Sequence, residues 1–223
     1  SMKGLDGKIK IENFYDDVVD LTFEDGEAIA RVPFDEKKYC TDVGAPESFG
    51  EIGYSTQERL WARPTLELNG IWGGYQGKGS KTVLPSKAHA KITCRLVANQ
   101  EPKKIYDLIK SHVEANTPPG VTIDIEPLPG SAHPLLVPNN HNSSAIARKV
   151  LTELYGKEPY QIRVGGSIPV MSILAQELGV HPTIFAFGLE DEQIHAPNEF
   201  FRLSSFKKGQ LAYCKLFEEF EKI

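Results

Sequence analysis

Two stretches of the chain alternate apolar and polar residues, and a third alternates more briefly. Residues 65–68 read Thr-Leu-Glu-Leu, with Ile71 and Trp72 extending the pattern. Residues 88–97 place Ala90, Ile92, Cys94 and Leu96 on one face and His89, Lys91, Thr93 and Arg95 on the other. Residues 121–125 repeat the alternation. A period of two is that of a half-buried strand, so three strands are predicted. Between the second and third, Glu101-Pro102 opens a segment whose Ile105, Leu108, Ile109, His112 and Val113 recur at helical spacing, and Thr117-Pro-Pro-Gly120 ends it. An antiparallel sheet with a helix on one face is an α+β layer, here the larger part of a split βαββαβ unit without its leading βα.

After residue 132 the pattern changes. Helices are predicted over 143–155, 168–178 and 202–223, separated by short apolar runs at 160–163 and 182–187 that read as strands. Ser143 or Ser144 caps the first helix, and Gly156 stops it. This α/β order belongs to an open sheet flanked by helices, of which one or two strands are only a part. Residues 1–62 carry a weaker pattern. Residues 8–11 alternate like a further short strand, 14–18 read as a turn into a polar helix, and 34–43 read as a helix with Pro33 at its first turn. That region is expected to be an irregular insertion, not a core. The predicted domains are 1–132 and 133–223.

Composition narrows the classes. The 223 residues are 40% hydrophobic and 25% charged, which is ordinary for a globular chain long enough to bury a core. A formal net charge of −5 argues against a nucleic-acid binder. No apolar run approaches the length of a membrane span, and no signal peptide is visible. The opening Ser1-Met2 reads as a cloning scar or the interior of a longer chain. Cys40, Cys94 and Cys214 are widely spaced with no CxxC pair, so a disulfide framework is not expected and a cytoplasmic location is.

Candidate chemistry concentrates near the end. Residues 163–169 form a Gly-Gly turn that presents Ser167 and leads into a predicted helix, a natural seat for a carboxylate or phosphate. His195 lies in a loop of turn-forming residues beside Glu190-Asp191-Glu192; metal ligand, general base and simple loop bridge all remain open for it. An acidic triplet of this kind is more often a solvated loop. Arg95 is either a solvated strand residue or a bidentate clamp for a carboxylate. The glycine-rich residues 73–82 fail the phosphate-loop spacing, because Trp72 and Gly79 stand where Gly and Ser or Thr are needed. His89, His112, His133, His141 and His181 are scattered and read as surface or packing residues. No HxxEH cluster occurs.

Gly165-Gly-Ser-Ile-Pro169, residues 194–199, residues 73–85 and residues 90–97 together resemble the M20 family of metallopeptidases, specifically its carnosinase-like dipeptidases. Residues 14–18 resemble that group's segment just inside the lid insertion. The resemblance covers nearly the whole chain. It implies a two-zinc catalytic domain interrupted by a lid that mediates homodimerisation. It matches His195 to the C-terminal zinc ligand, and Gly166 and Ser167 to contacts near the substrate carboxylate. It matches Arg95 to the lid arginine that clamps that carboxylate, and Thr82 to a lid residue of the same pocket.

The departures matter equally. The family's HxD pair, bridging Asp, Glu-Glu pair and remaining acidic ligand precede the lid and have no counterpart here. Nor does the lid histidine that polarises the scissile carbonyl. A His-Gly-Gly segment at the lid exit is replaced by Leu128-Pro-Gly-Ser-Ala-His-Pro134. The resemblance therefore implies a piece comprising most of the lid and the end of the catalytic domain, inactive alone. The whole would be a zinc exopeptidase acting on dipeptides or small peptides, with two metals activating water and a Glu, absent here, as general base. The alternatives are a noncatalytic dimerisation or binding module, and an N-acyl amino acid deacylase of the same family.

Overall fold

The computed structural model describes residues 2–138, 140–165 and 168–222. Contacts divide the chain into two compact units. The first is Ser1–Leu135 with Ile162–Pro169, and the second is Leu136–Gln161 with Val170–Ile223.

The first unit is built on a two-stranded antiparallel ribbon, β1 (Thr65–Gly73) and β2 (Ala88–Arg95), paired from Thr65↔Arg95 to Gly73↔Ala88. The register slips between Leu68 and Gly70, leaving Asn69 as the extra residue of a bulge. Its side-chain oxygen accepts a 2.6 Å bond from the Thr93 hydroxyl. Helix α4 (Pro102–Ala115) starts where expected, with Glu101 accepting the Lys104 N–H as N-cap and Pro102 in the first turn. Ile105 of α4 packs on Leu66 of β1, and Leu108, Ile109, Ile92, Cys94 and Leu96 surround the contact. Burial there, followed by the charge of Glu67, pushes the Cys94 thiol up to about 11.

The N-terminal region departs from expectation. Ile9, Ile11 and Phe14 are buried in the same core as Leu66 and Ile105, so this stretch is part of the core and not an appendage. Only an isolated bridge, Lys3↔Ile9, answers to the predicted strand at 8–11. Residues 14–18 form turns. Three short helices follow: α1 (Phe23–Ala30), α2 (Glu36–Asp42) and α3 (Thr56–Ala62). Helix α2 was expected, and α1 answers to the polar helix read after the turn at 14–18. Helix α3 was not expected, although it, like α1, begins with a reciprocal capping box, Thr22 with Asp25 in α1 and Ser55 with Glu58 in α3. Gly7 adopts φ +74° and lies against Gly50, where an added Cβ would sit 2.2 Å from the carbonyl carbon. Only glycine fits there.

The second unit packs α5 (Asn142–Tyr155) against α7 (Leu203–Phe220). Ala147, Val150, Phe185, Ala212 and Leu216 form its core. Helix α6 (Pro169–Leu178) precedes the 182–187 run. Gly156 ends α5 in the left-handed region, φ +69°. The N-cap of α5 is His141, whose Nδ1 accepts the Ser143 N–H, in place of the expected serine. Ser143 is buried instead, its hydroxyl 2.6 Å from that of Thr183.

The predicted strands at 121–125, 160–163 and 182–187 join no ladder among the described residues. The first unit is thus a two-strand ribbon with helices, not a three-strand sheet, and no sheet is seen in the second. Extended backbone becomes a strand only where a second edge offers matching N–H and C=O groups. Two of these runs show a substitute: the Tyr106 hydroxyl donates to the Ile125 carbonyl at 3.0 Å, and the Tyr213 hydroxyl to the Phe185 carbonyl at 2.6 Å. No described helix is long and apolar enough to cross a membrane.

A charge contact reinforces the α5–α7 packing. Glu219 accepts from Lys149 at 2.5 Å and from Lys222 at 2.6 Å, and these two bonds hold its carboxyl down at about 2. Because the folded value lies below the ordinary 4.5, the stabilisation is complete above pH 4.5 and is lost as pH falls toward about 2. Glu219→Gln should therefore lower Tm at neutral pH, and melting curves should converge with wild type through that acid window. Parallel curves across the window would show that the two lysine contacts do not couple to folding.

Candidate functional site

Arg95 is the last residue of β2, opposite Thr65, and is exposed. Its neighbours Ile92 and Cys94 turn toward the core, so the alternation read from sequence holds at this end of the strand. Thr82 is exposed in the loop between β1 and β2, which leaves the ribbon from its Gly73–Ala88 end. The two positions thus belong to opposite ends of β2, roughly 23 Å apart along a strand rising about 3.3 Å per residue. The ribbon by itself does not bring them together.

Gly166 and Ser167 lie outside the described residues. The segment leading to them is held within the first unit. Arg163 donates to Asp25 of α1 at 2.5 Å. Gly165 lies so close to the Leu60 carbonyl that an added Cβ would be 2.3 Å from its oxygen. The first glycine of the Gly-Gly pair is therefore required for close approach of backbone to backbone.

A second arginine, Arg63, is buried where Arg95 is exposed. Its side chain is 7% exposed and makes two 2.8 Å bonds to Glu51. The rings of Tyr15 and Tyr54 flank the guanidinium at 5.2 and 4.4 Å. Burial, the largest single influence, would lower its pKa, but the Glu51 bonds and charge together with Tyr54 and Tyr15 outweigh it and the value is raised. With Asp20 3.6 Å from its remaining nitrogen, this fork is committed to carboxylates of its own unit.

His195 belongs to the second unit, exposed, in the loop between the 3₁₀ turn Glu190–Glu192 and α7. Three non-glycine residues of this loop have left-handed backbone: Gln193 (φ 54°), His195 (φ 63°) and Asn198 (φ 66°). Such backbone is uncommon outside glycine, though Asn and His adopt it more readily than most, and three such residues in one loop are held by surrounding contacts. Those contacts converge on Glu192, which is 1% exposed. Its carboxylate accepts the Leu189 N–H at 2.8 Å, the Arg202 N–H at 2.9 Å and the Arg202 guanidinium at 3.1 Å. Its own carbonyl accepts the Phe200 N–H at 3.2 Å. The backbone bonds from Leu189 and Arg202, with the guanidinium contact, lower its pKa. Asp191 forms a bidentate pair with the same arginine at 2.9 and 2.6 Å. The acidic triplet, expected to be a solvated loop, is thus in part a buried anchor. No sequence signal pointed to it.

Of the remaining histidines, His89 stacks on Trp72 at 4.8 Å, His141 meets His181 edge-on at 4.8 Å, and His133 is exposed. Among the described residues, no group of three or more His, Cys, Asp or Glu is placed to hold a metal. A catalytic zinc takes about three protein ligands. His195 alone does not make such a site, so the residues present do not fit a complete metal centre.

Comparison with known proteins places this architecture. Residues 10–121 match the M20 family described as peptidase dimerisation domain. The chain is 30% identical to the Cys-Gly metallodipeptidase dug1 of Schizosaccharomyces pombe, over 96% of this chain and 45% of the relative. It is 22% identical to the human beta-Ala-His dipeptidase, over 96% of this chain and 42% of the relative. Among solved structures, an M20 family metallo-carboxypeptidase from Sulfolobus solfataricus superposes with a TM-score of 0.79 and 29% identity, covering 96% of this chain and 49% of that one. Human carnosine dipeptidase 1 shares the fold, with a TM-score of 0.77 at 22% identity. The chain spans less than half the length of the curated relatives it matches.

Proposed function

Because the chain belongs to the M20 family of peptidase dimerisation domains, we propose that it is the lid and C-terminal catalytic portion of a metal-dependent dipeptidase. In this reading residues 1–132 are the lid and 133–223 complete the catalytic domain. The observation that carries it is the family match over 10–121, continued by relatives that align across 96% of the chain and are dipeptidases. Cys-Gly or beta-Ala-His dipeptides, the substrates named for those relatives, are the class proposed.

In this reading Arg95, supplied across the homodimer, joins Thr82, Gly166 and Ser167 around the substrate's terminal carboxylate. A guanidinium on an exposed strand end suits that task, since its planar fork matches a carboxylate and Arg63 is already committed to Glu51. His195 is the chain's contribution to a zinc centre whose other ligands come from outside it. The metals, two in the family, would supply the Lewis acidity. The lid forms a homodimer, in keeping with the exposed apolar side chains Ile71, Val83 and Leu84 on and beside the ribbon, which are 72, 70 and 91% accessible. The location proposed is cytoplasmic. A deacylase of the same family would use the same carboxylate contacts, and a noncatalytic module would not need His195.

Metal titration tests the reading. Calorimetry on the metal-free 223-residue chain should show no tight stoichiometric zinc binding and no dipeptide hydrolysis. In the complete enzyme His195→Ala should lose metal and activity together. Tight zinc binding by this chain alone, or an active and metal-replete His195→Ala enzyme, would overturn it.

A further inference from the structure

We propose that Glu192 is a positioning residue for His195: with Arg202 it locks the 189–202 loop so that the imidazole is presented in one orientation. This deepens the assignment of His195 above and rests on it for its functional meaning. The physical case does not. A left-handed histidine in a loop with two more left-handed residues is an uncommon backbone path, one held by contacts beyond the residue itself.

Glu192 is where that enforcement originates. It takes hydrogen bonds from the residue three before it, Leu189, and from Arg202 beyond the far end of the loop. Its carbonyl closes the same loop onto Phe200. One buried side chain therefore fixes both ends of the segment that carries His195. Two turns fill the interval, Ala196 N–H to the Gln193 carbonyl at 2.9 Å and Glu199 N–H to the Ala196 carbonyl at 3.3 Å, and neither ties the loop to anything but itself. The charge on Glu192 is matched by Arg202, which also pairs with Asp191 and lies 5.0 Å over the Phe200 ring. A carboxylate is required rather than an amide. Both of its oxygens face backbone N–H donors, and an amide nitrogen would oppose one of them.

The test is NMR relaxation on the chain as it exists. In wild type the His195 amide should have an order parameter of about 0.85, that of rigid backbone, and in Glu192→Gln it should fall below about 0.6. Amides of α5 and α7 should keep their wild-type values, a split that a general loss of stability would not produce. Glu192→Asp retains the charge but is one methylene too short to bond both ends. It should give the same result, and it decides the matter if Glu192→Gln does not fold. A flexible His195 in wild type, or an unchanged order parameter in the folded variant, would overturn the proposal. The zinc-ligand assignment fails separately, through a metal-replete His195→Ala enzyme, and that outcome leaves the order parameters untouched.

Discussion

Arg95→Ala in the complete peptidase should lower kcat/KM by roughly two to three orders of magnitude while leaving metal content unchanged. Truncating one partner of a buried charge pair costs about 2–5 kcal/mol, and each ~1.4 kcal/mol is a factor of ten. Arg95 occupies an exposed strand end in the free chain, so the desolvation comes only when a substrate covers it. Its loss should then appear at least partly in KM, since a carboxylate clamp acts in ground and transition states alike. Arg95→Lys retains the charge but not the fork and should recover only part of the loss. Steady-state kinetics on a free dipeptide and on its C-terminal amide make the comparison. The amide has no carboxylate to hold, so wild type and Arg95→Ala should handle it similarly. An Arg95→Ala enzyme within threefold of wild type on the free dipeptide would mean that the residue is only a solvated strand end.

The second large effect concerns folding. Arg63→Ala should destabilise the first unit by about 3–5 kcal/mol, because it leaves Glu51 buried without its partner. Glu51 is 11% exposed and has two bonds to lose, and the tyrosine rings on either side would face a void. Substituting both partners, Arg63→Met with Glu51→Leu, removes the orphaned charge and should recover most of the loss. Urea unfolding followed by the signal of the first unit gives the comparison. A single variant within about 1 kcal/mol of wild type would show that water readily replaces the arginine.

The ribbon and the helix behind it were legible because period and punctuation agreed. Leu66, Ile92 and Cys94 alternate, Ile105, Leu108 and Ile109 follow helical spacing, and Glu101-Pro102 marks the start between them. Helix α3 was missed, and α1 was read only as an unbounded polar helix, for the converse reason. Their capping boxes are present, but Phe23 is 80% exposed, and Ile29 in α1 and Ala62 in α3 are the only buried apolar residues of these helices, so no apolar stripe announces either. Ile9, Ile11 and Phe14 were undervalued because three apolar residues in an irregular stretch carry no period. The runs at 121–125 and 182–187 were read as strands and join no ladder among the described residues, because pairing is a property of two segments and cannot be read from one. At the site, Arg95 and His195 stand out as residue types. Glu192 does not, because a buried carboxylate is recognised by the N–H groups around it, which only the folded loop assembles.

The union of the N-terminal stretch with α4 also sets an order of events during synthesis. The Gln100 side chain, 2% exposed, donates to the Phe14 carbonyl at 3.0 Å across 86 residues, and Lys104 reaches Asp17 across 87. Ile9, Ile11 and Phe14 therefore leave the ribosome long before the helix that covers them exists. At about 5–20 residues per second, that interval is on the order of ten seconds. Throughout it an apolar strap remains uncovered, and closing so long a loop makes the final docking slower than the formation of either partner. The nascent chain is most exposed to misassociation in this window, and its fate there depends on residues not yet translated.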